Sequence, residues 1–340
     1  MQNLKLDFRH TSQSSSCGLS VVVPCFNEQE CLQQLYRKVS EICRLVTTDY
    51  EIVLVDDGST DLTWTAIKDL RQRDGHVFPI KLSRNHGHQL ALSCGLRHCH
   101  GERIFIIDAD LQDPPELLPR MMEKMDEGFD IVYGQRKSRA GETKFKLWTA
   151  KSFYRILDKL SDVPIPMDVG DFRLVSRRAL DAILEMPESH RFIRGMMSWI
   201  GFRQTGIDYH RDPRLAGETK YPLKNMVKLA MDAVASFSTR PLSIAMAGSF
   251  LMALAGIIIL AYAAGSYAFG RAVSGWTSTI GVISLLSSVQ LAYLGIIGFY
   301  LGRLYEQAKG RPLFIVEEMD PPNLEIAAKK MNEVSSWQNP

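Results

Sequence analysis

Between Pro241 and Gly270 the 340-residue chain has no charged side chain, and between Ala272 and Gly302 it again has none; Arg271 alone separates the two runs. Each holds the roughly 20 apolar residues that a bilayer crossing requires. Two transmembrane helices, about Ser243–Ala264 and Thr279–Gly302, are therefore the expectation, with a pair of buried core helices as the alternative. Charge of one sign is also missing. The chain has 40 Lys and Arg against 38 Asp and Glu, a net +2, and a balanced chain carries no global electrostatic footprint for nucleic acid. No Gly-x-Gly-x-x-Gly follows the first apolar run and no Walker lysine is present, which argues against a dinucleotide dehydrogenase and a P-loop NTPase. The six cysteines, Cys17, Cys25, Cys31, Cys43, Cys94 and Cys99, lack zinc-like spacing. No secretory signal is legible near the amino end, so reduced cytosolic thiols are expected.

What is there centres on Ile104-Phe105-Ile106-Ile107-Asp108-Ala109-Asp110-Leu111-Gln112-Asp113-Pro114-Pro115-Glu116. The apolar run, mostly β-branched, reads as a buried strand, and the Pro-Pro-Glu that follows opens a helix. Ligands of open α/β sheets bind beyond the carboxyl ends of strands. Hard divalent cations take carboxylate and phosphate oxygens. Asp108 and Asp110 are thus placed to clamp a metal against a diphosphate. Taken alone, the pair is equally what solvated loop aspartates or a helix cap would look like.

The rest of the chain repeats that arrangement. Leu19–Pro24 reads as a strand ending in Cys25-Phe26-Asn27-Glu28, and Glu51–Val55 as a strand ending in Asp56-Asp57-Gly58-Ser59-Thr60-Asp61. Further strands are expected from Ile80 and at Asp130–Gly134. Helices are expected through about Leu45, after Asp61, through Cys99, to about Glu127 and from Ser176. Strands alternating with helices predict parallel βαβ units and a doubly wound, Rossmann-like α/β sheet. Polar strand ends at three separate places suggest a nucleotide whose phosphates a metal neutralises.

Val-Val-Pro-Cys-Phe-Asn-Glu, Val-Asp-Asp-Gly-Ser-Thr-Asp, Ser-Arg-Asn-His-Gly, Asp-Ala-Asp-Leu-Gln-Asp-Pro-Pro-Glu and Gly-Asp-Phe-Arg-Leu occur in this order. Over about residues 19–305 the chain resembles the family-2, GT-A-type inverting glycosyltransferases. It is similar within them to the polyisoprenyl-phosphate group, which holds dolichol-phosphate mannose synthases and bactoprenol glucosyltransferases. Arg214-Leu215-Ala216-Gly217-Glu218-Thr219-Lys220-Tyr221 and the two spans bring it nearest the bactoprenol branch. The resemblance implies that Pro24, Asn27 and Glu28 line a nucleotide pocket and that Asp56 and Asp57 contact uracil and ribose. It implies that Asp108, Asp110 and Gln112 hold Mg²⁺ or Mn²⁺ against the diphosphate, and that Asp171 takes the place of the catalytic carboxylate. Arg136, Arg173, Arg214 and Lys220 would clamp phosphate, since guanidinium groups match phosphate oxygens. Capping explains Asn27 and Glu28 without a nucleotide, a tight turn explains Asp57-Gly58-Ser59, and solvated surface charge explains the four cations.

Between these motifs, Gln135–Glu142 reads as a flexible basic loop and residues 1–18 as a mobile tail. Residues 144–160 and 222–238 read as amphipathic helices, the first with a basic rim suited to an anionic membrane surface. The alternative is packing on their own domain. Basic residues precede the first span and follow the second, so the positive-inside rule puts the catalytic domain and both termini in the cytoplasm; the resemblance to the bactoprenol branch implies a bacterial inner membrane. Small residues and Gly298-x-x-x-Gly302 permit close helix packing, hence a homo-oligomer. Pro312–Val316 is expected to form one more strand. The expected activity is metal-dependent, inverting transfer of a hexose, glucose by resemblance, from a UDP-sugar to polyprenyl phosphate. A processive polysaccharide synthase and a non-catalytic sugar-lipid assembly partner are the competing readings.

Overall fold

The computed structural model describes residues 17–136, 169–210, 238, 240–269 and 275–320. Arg214, Lys220, the amphipathic segment at 144–160 and nearly all of the amino-terminal tail and of 222–238 lie outside those residues. Strands β1 (Leu19–Cys25), β2 (Tyr50–Asp56), β3 (Val77–Leu82) and β4 (Arg103–Ile106) form a parallel set in the order β4-β1-β2-β3. Every residue of β1 and β2 is buried, as expected of parallel strands covered on both faces.

The pleat divides β1 between two cores. Leu19, Val21 and Val23 join the cluster under α1 (Leu32–Val46), whereas Val22 joins the one under α3 (His88–His98). Leu32, Leu35 and Val39, at the helical spacing the sequence shows, are buried on α1 together with Cys43, and Ile42 packs half-buried beside them. Before helix α2 (Thr63–Arg73), Asp61 Oδ1 accepts the Thr63 N–H at 3.0 Å, while Leu62, at the cap position itself, gives no side-chain bond. A short 3₁₀ turn at Pro115–Leu117 leads into α4 (Leu118–Asp126).

The sheet differs from the expected parallel pattern beyond β4. It has eight strands in the order β7-β5-β6-β4-β1-β2-β3-β8. Here β5 is Ile131–Arg136, β6 is Val169–Ser176, β7 is Gln204–Tyr209 and β8 is Val316–Met319. Strand β6 runs antiparallel to both β4 and β5, and β8 runs antiparallel to β3, so the sheet is mixed. Strand β5 reaches two residues past the expected Gly134 and carries Arg136 at its end, where the sequence suggests loop. Phe172 on β6 packs edge-on to Phe105 and Tyr209, centroids 5.4 and 5.5 Å away. A Cβ at Gly134 would lie 2.5 Å from the Phe172 ring, so this crossing of three strands needs a residue without one.

Ser176 caps α5 (Arg177–Glu185), accepting from the Ala179 N–H, and α6 (Ile193–Trp199) follows. Two helices, α7 (Arg240–Ala268) and α8 (Trp276–Ala308), are long and apolar enough to cross a membrane. At about 1.5 Å per residue α8 is ~50 Å long, more than a hydrocarbon core of ~30 Å requires. Its carboxyl end meets the sheet domain, where His190 Nε2 lies 2.7 Å from Glu306. The chain then turns at Gly310 (φ 59°) into β8. The expected last strand thus exists a few residues later than Pro312–Val316.

Candidate active site

The first two strands end in loops that are stitched to each other. Asn27, at φ 54°, donates its backbone N–H to Ser59 Oγ at 3.0 Å and accepts from the Thr60 N–H at 2.9 Å. The Glu28 N–H donates to Thr63 Oγ1 at 2.9 Å, while its carbonyl accepts from Cys31 and Leu32 at the start of α1. Pro24 is buried in β1 opposite Val55. Asn27 and Glu28 therefore tie the loop after β1 to the loop after β2, and neither side chain caps α1.

Asp56 and Asp57 divide the work. Asp57 takes the N–H groups of His86 and Gly87 on its two oxygens, at 2.7 and 2.9 Å, and so anchors the loop after β3. Asp56 accepts the Ser59 N–H at 3.3 Å on Oδ2, but its buried Oδ1 has no hydrogen-bond partner among the described residues. Burial pushes both carboxyls up. A buried acceptor without a donor is costly unless a ligand supplies one. The turn between these loops is tight: Gly58 has φ 65°, and a Cβ there would lie 2.5 Å from the backbone of Arg84.

Sheet register explains the next pair. β4 and β6 pair antiparallel with Arg103 opposite Ser176 and Ile106 opposite Arg173. Continued two residues past Ile106, the same register sets Asp108 opposite Asp171. Carboxylates 63 positions apart thus meet because one strand runs backwards. Asp108 Oδ1 is buried and accepts no hydrogen bond among the described residues. Burial lifts the Asp108 carboxyl to about 6, against the pull of His88, with Asp171, Asp113 and Asp110 adding to the rise. Leu111 stands at φ 56°, rare for a branched side chain. The turn it makes lets Asp110 Oδ1 accept the Gln112 N–H at 3.2 Å.

Asp171, 1% exposed, is held from three sides. Arg194 Nε lies 2.8 Å from Oδ1 and its Nη2 3.0 Å from Oδ2. His88 Nε2 and Gln89 Nε2 each lie 3.1 Å from Oδ2. Burial alone would raise this carboxyl, but Arg194 and His88 together hold it well below the usual range. His88 also stands 3.6 Å from Asp108. Burial would lower its pKa, yet the hydrogen bond to Asp171 and the two carboxylate charges lift it to about 9.

His88, Asp108 and Asp171 present donor atoms within 4.8 Å of one another, a grouping a metal could in principle use. As an imidazolium His88 offers no lone pair, and Asp171 is already committed to Arg194, so the trio is a charge network. Asp108, whose Oδ1 accepts no hydrogen bond among the described residues and only faces His88 at 3.6 Å, offers the oxygen that fits a hard cation. Asp110 and the Gln112 amide oxygen are the all-oxygen donors nearest in sequence, a set suited to Mg²⁺ or Mn²⁺.

The expected phosphate clamp is only partly at the surface. Arg173 needs correction: it is 3% exposed, its guanidinium donating to the Gly170 carbonyl at 2.6 Å and to Met197 Sδ at 2.9 Å. Burial lowers its pKa to about 10 against the stabilising charge of Asp171. It is an interior counter-charge because it shares a strand face with Asp171, two residues away. Arg136 donates to the Tyr209 hydroxyl at 3.1 Å and lies 3.6 Å from Asp113, which Tyr209 also contacts. Arg214 and Lys220 fall outside the described residues. His88, Gln89 and Tyr209 are site residues that no quoted motif contains. Asp113 stands inside the Asp-Ala-Asp-Leu-Gln-Asp-Pro-Pro-Glu motif without a role read for it, and Arg194 belongs to His190–Gly195, a stretch the sequence suggests for the acceptor side of the cleft.

The model of the family described as "Glycosyl transferase family 2" matches residues 20–184. The chain belongs to that family: it is a glycosyltransferase with an α/β, GT-A-like fold built on a mixed sheet. Among its relatives is the Bacillus subtilis protein named uncharacterized glycosyltransferase YkcC, 43% identical over 300 residues, covering 88% of this chain and 93% of that one. The Escherichia coli K12 protein named prophage bactoprenol glucosyl transferase homolog is 38% identical over 302 residues, covering 88% and 99%. The bactoprenol glucosyl transferase of Shigella phage SfX is 37% identical over 300 residues, covering 88% and 98%. At the level of fold, Staphylococcus aureus TarS 1–349 in complex with UDP-GlcNAc aligns with TM-score 0.45 and 19% identity, over 64% of this chain and 66% of that one. Glucosyl-3-phosphoglycerate synthase from Mycobacterium tuberculosis, in complex with Mn²⁺, UDP-glucose and phosphoglyceric acid, aligns with TM-score 0.43 and 19% identity, over 64% and 78%.

Proposed function

We propose that this glycosyltransferase moves a hexose, glucose first among candidates, from a UDP-sugar to polyprenyl phosphate at the cytoplasmic face of a bacterial membrane, with inversion. The observation that carries the reading is the orphaned, buried Oδ1 of Asp108 beside an Asp171 already neutralised by Arg194 and His88. The first is a place for a cation that would hold a diphosphate. The second is an anion that does not act as a base. A phosphate monoester acceptor suits such a site, because its second pKa near 6 leaves it largely ionised without help.

In this reading Asp56 Oδ1 accepts a donor group of the uracil, and Pro24, Asn27 and Glu28 form the wall of the nucleotide pocket. Asp57 keeps the loop after β3 in place. Asp108, Asp110 and Gln112 would hold Mg²⁺ or Mn²⁺, which supplies Lewis-acid stabilisation of the departing diphosphate. Asp171 orients Arg194 and His88, whose positive charge faces the region where the two phosphate groups must approach one another. Arg136, with Arg214 and Lys220, completes the acceptor's phosphate contacts. The apolar helices α7 and α8 hold the chain in the bilayer that carries the lipid, and the names of the bactoprenol-transferring relatives support that acceptor. Both termini lie in the cytoplasm, and the small-residue faces of the spans serve a homo-oligomer.

The test is UDP release by the full chain in lipid vesicles, with a panel of UDP-sugars, with and without polyprenyl phosphate and divalent metal. Lipid-dependent, metal-dependent release of one UDP per glycolipid formed supports the reading. Release indifferent to the lipid phosphate overturns it, and products with several sugars on one carrier favour the processive synthase.

A further inference from the structure

We propose that Gln89 is a positioning residue that sets Asp171 and Arg194 in register through its single side-chain amide. The inference rests on the reading of Asp171 and Arg194 as the acceptor side of the site. Gln89 is the second residue of α3. Its Nε2 donates to Asp171 Oδ2 at 3.1 Å, and its Oε1 accepts the backbone N–H of Ile193 at 3.0 Å. Ile193 opens α6, and Arg194 is the residue after it. Each partner of the Asp171–Arg194 pair is therefore tied to the same amide, one directly and one through the helix that carries it.

The arrangement answers a need of α6. The first N–H groups of a helix have no partner within it, and the residue before Ile193, Phe192, provides no side-chain cap. Ile193 is fully buried, so water cannot easily serve its N–H. Gln89 supplies the missing acceptor from another element, 104 positions away in sequence. The orientation of its amide follows: the oxygen must face the Ile193 N–H and the nitrogen the Asp171 carboxylate, because the reverse would set donor against donor and acceptor against acceptor. Only a side chain with an acceptor and a donor on one carbon does both. Gln89 touches neither reacting group in the proposed transfer, and it acts through Asp171 and Arg194.

Gln89→Glu separates the two bonds. The carboxylate still accepts the Ile193 N–H, so α6 keeps its cap, but its other oxygen now faces Asp171 with like charge. Gln89→Leu loses both bonds. The full chain in vesicles is assayed for melting temperature, UDP affinity with metal, and the kcat and KM for polyprenyl phosphate. For Gln89→Glu we expect some loss of melting temperature from the like charge set beside buried Asp171, UDP affinity close to that of the unaltered chain, and kcat down about 10- to 100-fold, the scale of a misplaced site group. Gln89→Leu should lose melting temperature as well. If Gln89→Glu turns over like the unaltered chain while Gln89→Leu is merely less stable, Gln89 is only a cap and the proposal fails. Equal losses of UDP affinity and kcat in Gln89→Glu also overturn it, since the effect then reaches the donor side. An unaltered chain without lipid-dependent turnover overturns the acceptor reading itself, and the proposal with it.

Discussion

Asp171 and Arg194 meet side-on, with Nε and Nη2 each given to a different carboxylate oxygen at 2.8 and 3.0 Å. This fork-to-fork geometry is the most directional that the two side chains offer, and it joins the centre of β6 to the start of α6. Paired in this way at 1% exposure, Asp171 is a poor proton acceptor and a good fixed counter-charge.

Replacing Asp171 by Asn should accordingly damage turnover far more than donor binding. The amide keeps the volume but leaves Arg194 and His88 without their neutralising charge. A loss of kcat of about 100-fold or more, within the range typical of acid–base or positioning groups, is expected with UDP affinity changed little. Titration calorimetry of UDP beside steady-state rates checks it, and matched losses would move Asp171 into the nucleotide pocket.

Asp110→Asn should weaken metal-dependent UDP binding, because a neutral amide is a poorer ligand for a hard cation than a carboxylate. A drop of about tenfold to 100-fold is expected, since even outer-shell changes at metal sites cost that much. The melting temperature should hold. UDP affinity in metal equal to that of the unaltered chain would exclude Asp110 from the site.

The neighbours Asp56 and Asp57 should respond in opposite ways. Asp57→Asn sets an NH₂ against the N–H of His86 or Gly87, leaving a buried donor unpaired at about 1–3 kcal/mol. A fall in melting temperature of roughly 2–8 °C follows. Asp56→Asn relieves a buried carboxylate whose Oδ1 is unsatisfied, so stability should hold or rise while UDP affinity drops about tenfold, one charged hydrogen bond's worth. Thermal melts and UDP titrations on the two variants separate the roles.

A pH dependence of stability should come from His100 and the fully buried Glu51. Glu51 accepts from Ser20 Oγ at 2.6 Å and from the His100 N–H at 2.5 Å, with His100 Nδ1 3.1 Å away. The hydrogen bond to Glu51 is the chief cause that raises the His100 pKa, with burial opposing. A raised folded pKa means stabilisation that is complete below the ordinary His value of about 6.5. It disappears as pH climbs through the raised value. Melting temperature should decline by a few degrees across that window, and His100→Gln should flatten the decline. A profile identical in the variant would assign it to another group.

The sequence made the parallel half of the sheet legible because Val21–Val23, Ile52–Val55 and Ile104–Ile106 are unbroken apolar runs. It also made the acidic strand ends legible, since Asp56, Asp108 and Asp110 follow those runs directly. β6 was harder to see: Asp171 and Arg173 put two charges into a buried strand, and buried charge is the reverse of the usual strand signal. β7, Gln-Thr-Gly-Ile-Asp-Tyr, is half-exposed at the sheet's edge and carries no apolar run. The partners of Asp171 lie 82, 83 and 23 positions away. Nothing in the spacing of residues announces such contacts, because they follow from the reversed direction of β6.

The position of β8 carries a consequence for how the protein is made. Its last strand comes from Val316–Met319, yet it completes the sheet beside β3, with Arg71 holding Asp320 at 2.8 Å and Lys81 holding Glu317 at 3.0 Å. A ribosome delivers the chain from its amino end, and domains generally begin to fold in that order. Strands β1 to β7 are therefore synthesised while the flank of β3 is still bare. An unpaired strand edge is an invitation to other chains, and here it stays open until both apolar helices have been synthesised. A chain cut short near Ser238 would keep every acidic strand end and lose this closing strand, so its shortened form should aggregate more readily as well as melt earlier. The sheet is sealed last, by residues that follow two helices long and apolar enough to cross a membrane, so completion of the sheet waits until both have been synthesised.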